Sequence, residues 1–127
     1  MSIFTGSISA VVAGDDLDVT RTVTAVPATQ TFTKAWLTLK ALITDADPGL
    51  LQKVITSGAV AGQGQITDTG ASGTGALLFQ LTGANTLALP VGIDVKYDIK
   101  VLTSAGKICT VEQGLYLAAA RITTATS

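Results

Sequence analysis

The stretch "KAWLTLKALI", residues 34–43, alternates without a break. Ala35, Leu37, Leu39, Ala41 and Ile43 fall on one parity, and Lys34, Trp36, Thr38, Lys40 and Leu42 on the other. A period of two places successive side chains on opposite faces of an extended chain. One face is then apolar and the other mostly polar, the pattern of a strand in an antiparallel sheet with a single buried side. The same pattern recurs in "LDVTRTVTA" (17–25), where Leu17, Val19, Val23 and Ala25 oppose Asp18, Thr20, Thr22 and Thr24. It returns in "VKYDIKV" (95–101), where Val95, Tyr97, Ile99 and Val101 oppose Lys96, Asp98 and Lys100.

Shorter strands are expected at about 7–12, 51–56, 64–68, 75–82, 107–113 and 115–120. Gly114 lies between the last two and reads as a bulge within one long strand. Turn signals such as "AGDD", "DADPG", "LPVG" and "SAG" separate the strands. The one helical candidate is "TGANTLAL", a single turn before Pro90. Val, Ile and Thr together make up about 40 of the 127 residues, and these β-branched side chains suit a pleated surface. Many short strands at this spacing predict an all-β sandwich or barrel. Leu37, Leu39, Leu77, Phe79, Leu81, Tyr97, Ile99 and Val101 are its expected inward-facing core.

The segment "AGQGQITDTGASGTG" (61–75) holds five of the thirteen glycines. A phosphate loop needs G-x-x-x-x-G-K-[ST] feeding a helix, and a dinucleotide fingerprint needs G-x-G-x-x-G opening one. Here "ALLFQLT", a strand, follows Gly75. The glycines therefore read as turns on either side of a short strand at 65–68.

Composition narrows the function further. There is no histidine and one cysteine, Cys109. That excludes Ser–His–Asp and Cys–His nucleophilic sets, the usual zinc sets and an intramolecular disulfide. The acidic groups "DDLD" (15–18) and "DAD" (45–47) run into a strand and into Pro48–Gly49, so they read as turn initiators and not as calcium loops. No metal, cofactor or catalytic residue is expected, and the chain reads as a non-enzyme. Charged residues are 13% and the net charge is −1, which offers no overall field for nucleic acid or an anionic membrane. No run of 18 apolar residues occurs. The N-terminal stretch carries no Lys or Arg before Arg21, and Thr5, Gly6, Ser7 and Ser9 interrupt its apolar run, so no signal peptide is expected. A surface so poor in charge is one that partners tend to cover.

Taken together, Gly14–Asp15, Trp36, Lys40, Leu81–Thr82, Thr86, Leu89, Gly92, Tyr97–Asp98, Gly106, Thr110 and Gly114 form a pattern across residues 12–120. The pattern resembles the immunoglobulin-like module of tailed-phage virion proteins, including the N-terminal domain of phage baseplate upper proteins. The resemblance implies an immunoglobulin-like antiparallel β-sandwich of about 7–9 strands. It also implies a structural role in the phage particle. In baseplate upper proteins the module heads a longer fibre-bearing chain. Here it fills the 127 residues, which points to a small capsid decoration or cement protein. A tail or baseplate component and a carbohydrate- or host-surface-binding module are the alternatives.

The expected division is an N-terminal arm at 1–8, the sandwich at 9–121 and a C-terminal tail at 122–127. Expected partners are other virion proteins, either the major capsid protein or tail and baseplate proteins, together with further copies of the chain. Ile3, Phe4 and Ile8 in the arm, and Trp36 on the polar face of its strand, are the candidate interface residues.

Overall fold

A computed structural model describes residues 4–24, 30–42, 44–47, 49–71 and 73–120. Eight strands and one short helix follow in order: β1 (Phe4–Val12), β2 (Leu17–Val23), β3 (Phe32–Lys40), β4 (Leu51–Ile55), β5 (Gly64–Thr69), β6 (Gly75–Leu81), α1 (Gly83–Ala88), β7 (Val95–Thr103) and β8 (Ile108–Ala119). One sheet has five strands in the order β1-β8-β7-β3-β4, and the other has three in the order β2-β6-β5. The first strand runs parallel to the last, and every other pairing is antiparallel. The chain is an all-β sandwich with immunoglobulin-like strand order.

The alternation read from the sequence sets the two inner faces. Leu37, Leu39, Ile99 and Val101 on the larger sheet face Leu77, Phe79 and Leu81 on the smaller one, and all are buried. Tyr97, at 4% exposure, completes the expected set. Each such side chain is worth about 1.5–3 kcal/mol for leaving water. In the glycine-rich segment, Gly62, Gly64, Gly70 and Gly73 all adopt positive φ. These are conformations that favour glycine, in turns at Gly62, Gly70 and Gly73 and at the first residue of β5 at Gly64. A Cβ at Gly75 would lie 2.5 Å from the Phe32 ring, so that glycine is needed for packing.

The helical candidate is α1, with a capping box at its start. The Asn85 N–H donates to Thr82 Oγ1 at 3.2 Å, and the Thr82 N–H donates to Asn85 Oδ1 at 2.8 Å. Thr86 is fully buried; its hydroxyl accepts from the Gly14 N–H at 3.0 Å and donates to the Asp15 carbonyl at 2.7 Å. The Asp16 carboxylate accepts from the Gly83 N–H at 2.6 Å. The β1–β2 turn and the β6–β7 connection are thereby tied together.

Two expectations about strand limits are corrected. Residues 4–8 do not form an arm, because β1 begins at Phe4 and pairs with β8 from there. The bulge in β8 is not at Gly114. It falls where Ile99 opposes Glu112 and Lys100 opposes Thr110, leaving Val111 as the extra residue. Gly114 instead sits on the inner face between β1 and β7. A Cβ there would collide with the Gly6 carbonyl oxygen and come within 3.0 Å of the Tyr97 ring. Its missing side chain lets β1 dock and leaves room for the Tyr97 ring. Residues 122–127, expected as a tail, lie outside the described residues.

Candidate functional site

The outward parity of the five-stranded sheet builds a groove. On β3 it presents Trp36, Thr38 and Lys40; on β7 it presents Lys96, Asp98 and Lys100. Strand register aligns these side chains in rows across the sheet. Gln113, Asp98, Thr38 and Gln52 form one row. Thr110, Lys100, Trp36 and Val54 form the next, and Leu115, Lys96 and Lys40 lie on the far side of the first. The groove over these rows has a volume of about 810 Å³ and is open to solvent.

Charge is unevenly spread over the molecule. Among the described residues, Lys34, Lys40, Lys96 and Lys100 share this face with Asp47 and Asp98, in a chain whose net charge is −1. The Lys34 ammonium lies 5.7 Å from the Trp36 ring centroid, within cation–π range. Lys40 pairs with Asp47 at 2.7 Å. That hydrogen bond, and the charge behind it, holds the Asp47 carboxyl below its ordinary range. Asp98 is half-buried between Thr38 and Gln113. Burial pushes its carboxyl up; Lys100 opposes that shift and Asp47 adds to it. Gln52 donates to the Thr38 hydroxyl at 3.0 Å, which fixes one end of the central row.

A second polar cluster lies inside the sandwich. Arg21 occupies the inward parity of β2, between Val19 and Val23. Its Nε donates to both carboxylate oxygens of Glu112, at 2.8 and 2.9 Å, and Glu112 is only 3% exposed. The other guanidinium nitrogens donate to the Thr20 carbonyl at 2.9 Å and the Ser7 carbonyl at 3.0 Å. The Tyr97 hydroxyl donates to Glu112 from β7. Burial works against the charge of Arg21, but its bonds to Glu112 and Tyr97 outweigh that, and its pKa is raised. Burial, followed by the bond to Glu112, pushes the Tyr97 phenol up to about 12. The cluster joins β2 of one sheet to β1, β7 and β8 of the other. Its chemistry is that of a clamp.

Two further buried polar groups stand apart. Lys53 lies on the inward parity of β4 opposite Leu37, and its ammonium donates to the Gly62 carbonyl at 2.6 Å. Burial lowers its pKa. The Tyr116 hydroxyl is buried with no hydrogen-bond partner among the described residues, and burial raises its pKa.

The expected interface residues separate. Ile3 lies outside the described residues, and for Phe4 the backbone alone is described, paired with Glu112. Ile8 is corrected: it is 4% exposed and packs in the chain's own core, opposite Tyr116 of β8. Once β1 starts at Phe4, position 8 falls on the inward parity and cannot serve a partner. Trp36 is partly exposed and lies in the groove, with two strands between it and β1. The acidic groups serve turns in two ways: Asp16 ties its turn to Gly83 of the β6–β7 connection, and Asp45 accepts from the Leu42 N–H within its own turn at 3.1 Å.

The β1 edge is the remaining surface feature. From Phe4 to Val12 it carries no charged residue and no proline. Beside its far end, Val12, Val91, Ile93, Leu115 and Leu117 are exposed. The Gly92 N–H, bonded to the Ala118 carbonyl at 3.4 Å, brings the loop bearing Val91 and Ile93 against β8. No protein-family model matches the chain, and no curated protein matches its sequence.

Proposed function

We propose that the chain is a non-enzymatic structural protein of a tailed-phage particle, acting as a decoration or cement protein on the capsid. The observation that carries this reading is the β1 edge. An edge strand presents a row of unpaired backbone donors and acceptors, and proteins usually guard it with charge, proline or cover. Here the nine residues of β1 carry no charge and no proline of their own, Arg21 reaches only the Ser7 carbonyl, and exposed Val12, Leu115 and Leu117 lie alongside. An extended segment of a capsid subunit would add alongside β1 through main-chain hydrogen bonds and cover the apolar patch. Binding only the assembled shell, the protein would stabilise it by mass action. The resemblance of Gly14–Asp15, Thr86, Tyr97–Asp98 and Gly114 to the phage virion module supports the same reading.

The test is gold-labelled antibody against the protein, imaged by negative stain on purified particles. Label spread over the head is the expected result. Label confined to the tail overturns the capsid position, and particles without label overturn the virion role. A Thr5→Lys/Ser7→Lys variant places two cations on exposed positions of β1. It should fold as the parent does and fail to load onto particles; normal loading would show that β1 is not the docking edge.

A further inference from the structure

We propose that the groove around Trp36 binds an acidic polysaccharide, a chain of sugar rings bearing carboxylates. The site is distinct from the β1 edge and the inference does not rest on the assembly reading, since β8 and β7 separate β1 from Trp36 on β3.

Three features of the groove select this class of ligand. First, Trp36 is partly exposed and lines the groove, with Lys34 over its ring, and its indole makes no hydrogen bond among the described residues. An indole offers a broad apolar plate with a polar tip, suited to the C–H face of a sugar ring and a hydroxyl at its rim. Second, Asp98 stands in the central row, half-buried, with no donor to its carboxylate among the described residues. Sugar hydroxyls donate to such a carboxylate and accept from the neighbouring amides. A phosphodiester backbone brings acceptors only and would be repelled there, which turns the choice away from nucleic acid. Third, Lys96 and Lys100 flank that row, two residues to either side of Asp98 along β7, and their charge is not matched by a salt bridge among the described residues. Carboxylates repeating along a glycan would meet them in turn, whereas a neutral glycan would leave them unused. The rows cross several strands at a spacing of about 4.8 Å, so the groove accepts a short run of rings laid across the strands.

Trp36 is the only tryptophan in the chain, so its intrinsic fluorescence reports on the groove directly. The probes are oligomers of galacturonate, alginate and hyaluronan, titrated into the full-length protein at low salt, with calorimetry in parallel. A neutral malto-oligosaccharide and a single-stranded oligonucleotide serve as comparators. The expected result is a saturable fluorescence change with at least one acidic oligomer, weakened by added salt. Lys100→Gln should weaken that binding at least tenfold, and Trp36→Ala should abolish the calorimetric signal. Lys107→Gln, on the β7–β8 turn outside the groove, should change neither. Circular dichroism melts confirm that each variant is folded before it is scored. The proposal is overturned if no acidic oligomer gives a saturable response, or if the neutral sugar binds equally well and Lys100→Gln is silent. Tighter binding of the oligonucleotide than of every acidic oligomer also overturns it.

Discussion

Removing the charge of Arg21 tests how the two sheets are held together. In Arg21→Met the methionine can occupy the space along β2, but Glu112 loses both bonds to Nε and the Ser7 carbonyl loses its donor. Glu112, at 3% exposure, is then left with Tyr97 as its remaining partner. Breaking a buried pair from one side costs about 3–5 kcal/mol, because a charge stays buried without compensation. The Arg21 side chain is 26% exposed, so water already screens part of the pair, and the lower end of that range, about 3 kcal/mol, is expected. Against a total of about 5–15 kcal/mol for a domain of this kind, that is a large fraction. In a thermal melt it corresponds to a fall of roughly 10 °C.

The double variant Arg21→Met/Glu112→Leu removes the stranded charge and should recover most of the loss. Adding Tyr97→Phe removes the hydroxyl left unpaired, a group whose isolation costs about 1–3 kcal/mol. The triple variant should therefore lie within about 1 kcal/mol of the parent, since an apolar replacement of a buried pair is often neutral. Urea unfolding followed by Trp36 fluorescence and far-ultraviolet circular dichroism gives all the values in one cycle. A loss below about 1 kcal/mol for Arg21→Met, or a double variant no more stable than the single one, would refute the clamp.

Core truncations should be costly: Leu39→Ala about 2–5 and Phe79→Ala about 3–5 kcal/mol, read from urea midpoints. Gly114→Ala should cost about 1–3 kcal/mol by overpacking, and hydrogen exchange should show faster opening of β1 amides, because the new methyl meets the Gly6 carbonyl. The phenol of Tyr97 is held neutral in the fold with a raised pKa, so its contribution is fully present below about pH 10. It should be lost as pH rises through about 12. A spectrophotometric tyrosine titration alongside circular dichroism should place ionisation and unfolding together in that window, and Tyr97→Phe should lessen the alkaline loss.

Parity alone made most of the core readable from the amino-acid order. Leu37, Leu39, Leu77, Phe79, Leu81, Ile99 and Val101 needed only a count of two along their strands. Parity also placed Trp36 with Lys34 and Lys40 on one polar face, and Lys96 with Lys100 on another. It could not say that those two faces adjoin, since register between β3 and β7 is set by contacts between distant segments. The net charge of −1 concealed the lysine face because a sum carries no positions. Arg21 did leave a signal: it shares the parity of Val19 and Val23. Glu112 left none that a count could use, because the extra residue Val111 shifts the alternation just before it. Ile8 reads as part of an arm because Thr5, Gly6, Ser7 and Ser9 break its apolar pattern, and its strand is identified only by its partner β8.

That partner is nearly a full chain length away: Phe4 pairs with Glu112. Of the described strands, β1 is synthesised before its partner β8 and is therefore among the last to find its place. At about 5–20 residues per second, β1 waits for seconds before its neighbour exists. Once β8 exists, the chain must still close the longest loop among the described pairings before this one is rewarded, and such topologies fold in milliseconds to seconds. During that wait the inner face of β1, with Ile8 and Val11, is uncovered, and so is the slot on β8 that will receive it. Among the described strand pairings, the meeting of β1 with β8 is the one that waits longest, and its failure leaves the apolar surface of Ile8 and Val11 open.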